Sequence, residues 1–195
     1  MPRLPHLLAL GVLAITQCIC HARLGETAIQ CADRYGPPKK DTFTKIEEKN
    51  SPLLKGAIEH TYLYQGWKIR AAFLTLDGPA VSMEYHKISS AGVNSQLQDN
   101  EIEAILKGEA PEGTSWRQIF FNDPHSHAEG LEQRAIEAYL SHVLGAKMWQ
   151  RTDGAVAWIQ IGFNSVHLEL PAAKQHEDGL KAQQEQKART SVPAF

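Results

Sequence analysis

The sequence predicts an α+β protein in which a helix followed by an antiparallel meander occurs twice. Three observations lead there: a short amphipathic helix bracketed by a capping box and a Gly-Pro-Pro stop, two sets of alternating strands punctuated by Asp-Gly turns, and further helical patterns ahead of the second set.

The chain begins with a short polar start carrying Arg3, then the apolar run Leu7 to Thr16, then "QCICHAR". That is the layout of a secretion signal, because the apolar run is far shorter than the roughly 20 residues a membrane span needs. Ala22 offers a small residue at a cleavage point, so residues 1–22 are read as a signal peptide and the protein as exported, periplasmic or extracellular. A lipid anchor through Cys18 is the alternative, and Gln17 stands against it where a lipobox has Gly, Ala or Ser. Cleavage leaves 173 of the 195 residues, enough for one domain or two small ones to bury a core without disulfides. The precursor carries 20 basic and 22 acidic side chains, and without Arg3 the net charge is about −3. This balance offers no basic surface for nucleic acid, and no transmembrane helix is expected in the mature chain. Cys18 and Cys20 leave with the signal, so Cys31 has no intramolecular partner.

Thr27 and Gln30 form a capping box, and the first helix runs to about Tyr35 before Gly36, Pro37 and Pro38 stop it. Ala28, Cys31, Ala32 and Tyr35 share one face. Residues 39–57 are polar and read as a loop or a short exposed helix. Three strands follow in "HTYLYQ", "WKIRAAFLTL" and "PAVSMEYHK", separated by Gly66 and by Asp77 with Gly78. A two-residue turn at Gln65 and Gly66 puts Tyr62 and Tyr64 on the face of Trp67, Ile69, Ala71 and Phe73. A bulged loop over Leu76 to Gly78, with Gly78 left-handed, brings Val81, Met83 and Tyr85 to that same face. This register also sets Arg70 opposite Glu84 on the outer side.

After the linker "SSAGVNSQ", Asp99 is expected to cap a helix from Asn100 to Lys107 that buries Ile102, Ile105 and Leu106 and ends at Gly108. "GEAPEGTSW" reads as loop. A second capping box, Ser126 with Glu129, opens the longest helical pattern, about His127 to Leu144. Strands follow over Lys147 to Arg151, Ala155 to Ile161 and Ser165 to Leu170, with Gly154 in the role given to Gly78. The organisation expected is therefore a signal peptide over 1–22, a first helix-meander unit over 23–88, a linker over 89–98, a second unit over 99–170 with an inserted helix, and a polar tail over 171–195 that is disordered or a loose helix. Whether the meanders join in one sheet or form two is open at this level.

Together "LGETAIQCADRYGPP", "FLTLDGPAVSMEY" and "WQRTDGAVAWIQ" resemble short, signal-bearing bacterial proteins of the verrucomicrobial type. In these, a Leu-Gly-Glu-Thr segment, a Cys, an Arg-Tyr-Gly and a later Trp-x-Arg-x-Asp-Gly recur around a meander. The resemblance spans most of the mature chain and implies no activity. In layout alone, helix, Gly-x-Pro stop and meander is similar to the SmpA/OmlA and β-lactamase-inhibitor-like modules, which implies an envelope scaffold or an inhibitory binder. The helix expected at 127–144 departs from that layout.

Among chemistry-bearing residues, Cys31 lies within an apolar stripe and reads as a small buried hydrophobe rather than a nucleophile. Asp123, His125, His127 and Glu129 alternate in "NDPHSHAEG", the best metal candidate, since two imidazoles two residues apart can share an ion from an extended segment. The capped helix start explains the same stretch, and no HExxH or CxxC accompanies it. No G-x-S-x-G supports a serine nucleophile, and the Asp-Gly segments are turns rather than phosphate loops. His142 and His167 read as structural or solvated. The aromatic row Tyr62, Tyr64, Trp67, Phe73 and Tyr85 reads as the core face of the sheet, with stacking of a sugar or peptide as the alternative. The expectation is a non-catalytic exported binding or scaffold module for an envelope protein or peptide partner, with no catalytic, cofactor or metal residues assigned. The alternative is a metal-dependent envelope enzyme centred on His125 and His127.

Overall fold

The computed structural model describes residues 23–39, 52–88, 97–119, 147–159 and 165–190. In chain order these hold α1 (Ala28–Tyr35), β1 (Ile58–Tyr64), β2 (Trp67–Phe73), β3 (Ala80–Lys87), α2 (Asp99–Gly108), β4 (Trp116–Ile119), β5 (Lys147–Arg151), β6 (Val156–Ile159), β7 (Ser165–Glu169) and α3 (Pro171–Thr190). The strands form one seven-stranded antiparallel sheet in the order β1-β2-β3-β7-β6-β5-β4.

The α+β class thus holds, and the open question of one sheet or two is resolved. The two meanders join through β3 and β7, whose pairing sets Met83 against Leu168 and Tyr85 against Val166. The proposed units at 23–88 and 99–170 are not separate bodies, because α1 and α2 pack on the same face of that sheet. Cys31 and Tyr35 of α1, Ile102 and Leu106 of α2, and Tyr62, Ile69, Phe73, Met83, Ala157, Val166 and Leu168 of the strands belong to one core.

Helix α1 starts as its sequence dictates. The Thr27 hydroxyl accepts from the Gln30 amide at 3.4 Å, the Gln30 side chain accepts from the Thr27 amide at 2.9 Å, and Gly36 takes φ 84° just beyond Tyr35. Its lead-in is sewn to the sheet, with the Gly25 amide donating to Ala80 O at 2.9 Å and the Ala80 amide to Glu26 O at 2.7 Å. Gln65 (φ 46°) and Gly66 (φ 85°) make the two-residue hairpin turn, both central residues left-handed as a type I′ turn needs.

The second turn differs from expectation. The loop is longer, Leu74 to Pro79, and Gly78 stays out of the left-handed region. What demands glycine there is space, because a Cβ would stand 2.5 Å from Thr75 Oγ1. The bulge falls inside β3 instead: Ala72 faces Ser82 while Phe73 faces Ala80, and Val81 joins the opposite face. The register beyond it is the expected one, with Arg70 opposite Glu84. Gly154 does take the left-handed conformation, φ 90°, in a turn closed by Gly154 N–H to Arg151 O at 2.9 Å.

Three further findings concern the second half, the first two of them corrections. Helix α2 begins one residue early: Gln98 is its cap, its amide held by Glu101 at 2.9 Å, and Asp99 instead pairs with Lys147 at 2.6 Å. The loop expected over 108–116 gives way at Trp116 to an additional strand, β4, whose four residues are too few for a periodic signal. The polar tail is helical over Pro171–Thr190, the second of the two alternatives expected for it. Pro171 suits the first helical position, and Ala173 is fully buried against Leu54, Ala72 and Val81 on the sheet face opposite α1 and α2. Ala, Gln, Lys and Glu then propagate the helix through intrinsic propensity. The helix expected at 127–144, most of the linker at 89–96 and residues 1–22 lie outside the described residues. Among the described residues no helix is long and apolar enough to cross a membrane.

The outer face carries a row of polar side chains across four strands. Arg70 donates to both oxygens of Glu59 at 2.7 and 2.9 Å and to Glu84 at 2.8 Å, Glu84 lies 3.4 Å from His167 Nε2, and the His167 ring stacks on Trp158 at 5.4 Å.

Candidate functional site

A pocket of about 340 Å³ opens on the sheet face that carries α1 and α2. Tyr35 closes it from the end of α1. Tyr64, Gln65 and Trp67 come from the β1–β2 hairpin, Ile69 and Tyr85 from the sheet, and Glu101, Ala104, Ile105, Gly108 and Glu109 from α2 and its C-terminus. The local sequence explains the placement. Alternation along β1 and β2 sends Tyr62, Tyr64, Trp67 and Ile69 to one face, and the helical repeat of α2 sends Glu101, Ala104, Ile105 and Gly108 along one edge of its buried stripe.

The aromatic row therefore splits. Tyr62 and Phe73 are core, 0% and 1% exposed, as their alternation along the strands expects. Tyr64 and Trp67 sit farther out, half-buried to exposed, and line the pocket with Tyr35 and Tyr85. The Tyr35 and Tyr64 rings lie 5.4 Å apart, tilted by 59°, forming two adjoining walls.

At the inner end sits Glu109, the residue just past α2 and only 1% exposed. One carboxylate oxygen accepts the Leu24 amide at 2.5 Å, the other accepts the Tyr85 hydroxyl in a very short contact, and Tyr85 in turn meets the Tyr35 hydroxyl at 2.8 Å. The backbone carbonyl of Glu109 receives Arg151, whose guanidinium is forked onto Asp153 at 2.8 Å twice and lies 5.3 Å above the Trp116 ring. Burial pushes the Glu109 carboxyl up to about 7, against the pull of the Leu24 amide, the Tyr85 hydroxyl and the Arg151 charge. Burial likewise pushes Tyr85 and Tyr35 well above the ordinary phenol value, with the Glu109 charge adding to it.

Among the described residues no cationic side chain forms an ion pair with the Glu109 carboxylate, and no Lys, Arg or His lines the pocket. Glu101, the other charged lining residue, is paired with Lys87 at 2.6 Å. The arrangement combines an aromatic enclosure with negative charge at its inner end.

Cys31 is fully buried in the core, and burial with the nearby Glu26 charge pushes its thiol up to about 12. It is a packing residue. His167 is on the outer face, away from the pocket. Asp123, His125, His127, Glu129 and His142, which hold the metal candidate, lie outside the described residues. Among the described residues no group of three or more metal-ligating side chains converges.

Sequence reasoning missed Glu109, which falls in a segment read as loop. A signal was present. Tyr35 and Tyr85 occupy facing apolar stripes, and a buried phenol needs a hydrogen-bond partner that neither stripe supplied. Comparison with known families, curated proteins and solved structures finds no match to this chain.

Proposed function

We propose that this protein is an exported, non-catalytic binding module whose binding site is the pocket between α2 and the β1–β2 hairpin. The observation that carries the reading is that Tyr64 and Trp67, which a purely structural sheet would bury, instead line an open pocket of about 340 Å³, within the size range of small-molecule sites. The non-catalytic part rests on the enclosure of Glu109: at 1% exposed, with each oxygen already accepting a donor from the protein, its carboxyl is held by the fold rather than presented to a substrate. Export rests on the signal layout of residues 1–22. An envelope partner, protein or peptide, is the setting this implies.

The test is ligand-observed NMR of the mature chain against a fragment set spanning positive, neutral and negative charge. Fragments that bind are expected to perturb the Trp67 indole and Ile105 methyl signals and to be lost in Ala104→Phe, which fills the pocket from an exposed helical position. Binding indifferent to Ala104→Phe refutes the assignment of the site.

A further inference from the structure

We propose that this pocket takes an organic ammonium ion, a primary or quaternary amine whose apolar substituents lie against Tyr35, Tyr64 and Trp67 and whose charge sits toward Tyr85 and Glu109. The inference rests on the binding-module reading and adds the chemical class of the ligand. It stands on three independent features of the cavity. The enclosure is aromatic, with rings from α1, the hairpin and β3, and aromatic rings attract a cation through their quadrupole while accepting its apolar groups. Among the described residues, every charged side chain lining the cavity is acidic. The inner carboxylate lacks an ion-pair partner among the described residues, although an arginine comes close enough to hold its backbone carbonyl. An anionic ligand would meet Glu109 across the Tyr85 hydroxyl, with no cationic side chain among the described lining residues to offset the repulsion.

The surroundings of Glu109 also set a pH signature. Facing it are Tyr85 from β3, Tyr35 and Cys31 from α1, Glu26 from the lead-in and Arg151 from β5; Glu26 is engaged with Arg34 and Arg151 with Asp153. The phenols and the thiol are displaced upward, away from neutrality, whereas Glu109 titrates at about 7. A cation therefore binds the ionised form more tightly and releases a proton as it does so.

The experiment is isothermal titration of the mature chain at low salt with choline, benzyltrimethylammonium, benzoate and 3,3-dimethylbutan-1-ol, the neutral carbon isostere of choline, at pH 6 and pH 8. The ammonium probes are expected to bind at least about tenfold more tightly than the isostere. Their affinity rises up to about tenfold from pH 6 to pH 8. Glu109→Gln abolishes that pH dependence, and Trp67→Leu lowers the preference for choline over its isostere while Trp67→Phe retains it. Equal binding of choline and its isostere, tighter binding of benzoate, or a flat pH profile for the cations overturns the ammonium assignment and leaves the pocket standing. If none of the four probes shows binding that Ala104→Phe removes, the ammonium assignment fails, and the fragment screen then decides whether the pocket reading fails with it.

Discussion

Replacing Glu109 with glutamine tests the buried carboxyl most directly. The glutamine side chain keeps the shape of the protonated acid. Its carbonyl can accept the Leu24 amide, its NH₂ can donate to Tyr85, and the Tyr85 hydroxyl turns to donate to Tyr35, so the chain of hydrogen bonds survives with its direction reversed. The carboxyl stands at about 7 in the fold against an ordinary 4.5. The sign follows: the native state holds its proton more tightly than the unfolded chain, so stability from this group is fully present below the unfolded value and is lost as pH rises toward 7. At 1.36 kcal/mol for each pH unit of difference, the loss by pH 8 is roughly 3 kcal/mol, most of it incurred above pH 5. His60 and His167, displaced downward by burial, titrate in the opposite sense, which is why the difference between wild type and variant is the quantity to measure. Urea unfolding at pH 5 and pH 8 should show the two proteins within about 1 kcal/mol of each other at pH 5, and Glu109→Gln more stable by about 2–3 kcal/mol at pH 8. Parallel stability profiles, or a variant less stable at pH 8 than at pH 5 relative to wild type, would refute the assignment of a proton-retaining carboxyl.

Three other outcomes can be checked, two from the structure and one from the sequence. Cys31 should resist iodoacetamide at pH 7.5 in the native protein and react on unfolding, and Cys31→Ser should cost about 1–3 kcal/mol by burying a hydroxyl; rapid native labelling would contradict its place in the core. Gly78→Ala and Gly154→Ala should both destabilise by about 1–2 kcal/mol for different reasons. Thermal melts should show Thr75→Ala rescuing the first, whose obstacle is Thr75 Oγ1, while the left-handed Gly154 has no such rescue. The double change His125→Ala with His127→Ala should leave stability within about 0.5 kcal/mol of wild type. Metal analysis of untagged protein is the check: bound zinc or copper lost in the double variant would favour the metal-enzyme reading over the binding module.

Local elements were readable because they depend on near neighbours. Thr27 and Gln30, three residues apart, determine where α1 begins; Gln65 and Gly66 determine the first hairpin; and the alternation of Ser165, His167 and Glu169 with Val166 and Leu168 determines the facing of β7. The same locality misplaced Gly78, since a short loop and a longer one with a bulge at Val81 put the same residues in register and differ only in what lies on the far face.

By itself, then, the sequence determined the α+β class, the capped helix around Cys31, the first hairpin and the pairing of Arg70 with Glu84. Tertiary structure decided the rest: that β3 and β7 fuse two meanders into one sheet, that the start of α3 packs on its second face, and that the Leu24 amide, Tyr35, Tyr85, Glu109 and Arg151 meet at the inner end of a pocket. Those five residues come from five segments as much as 127 positions apart, Leu24 to Arg151. No local propensity links them; they meet because burying one core against both helices leaves the Tyr35 and Tyr85 hydroxyls to be satisfied by one another and by the Glu109 carboxylate.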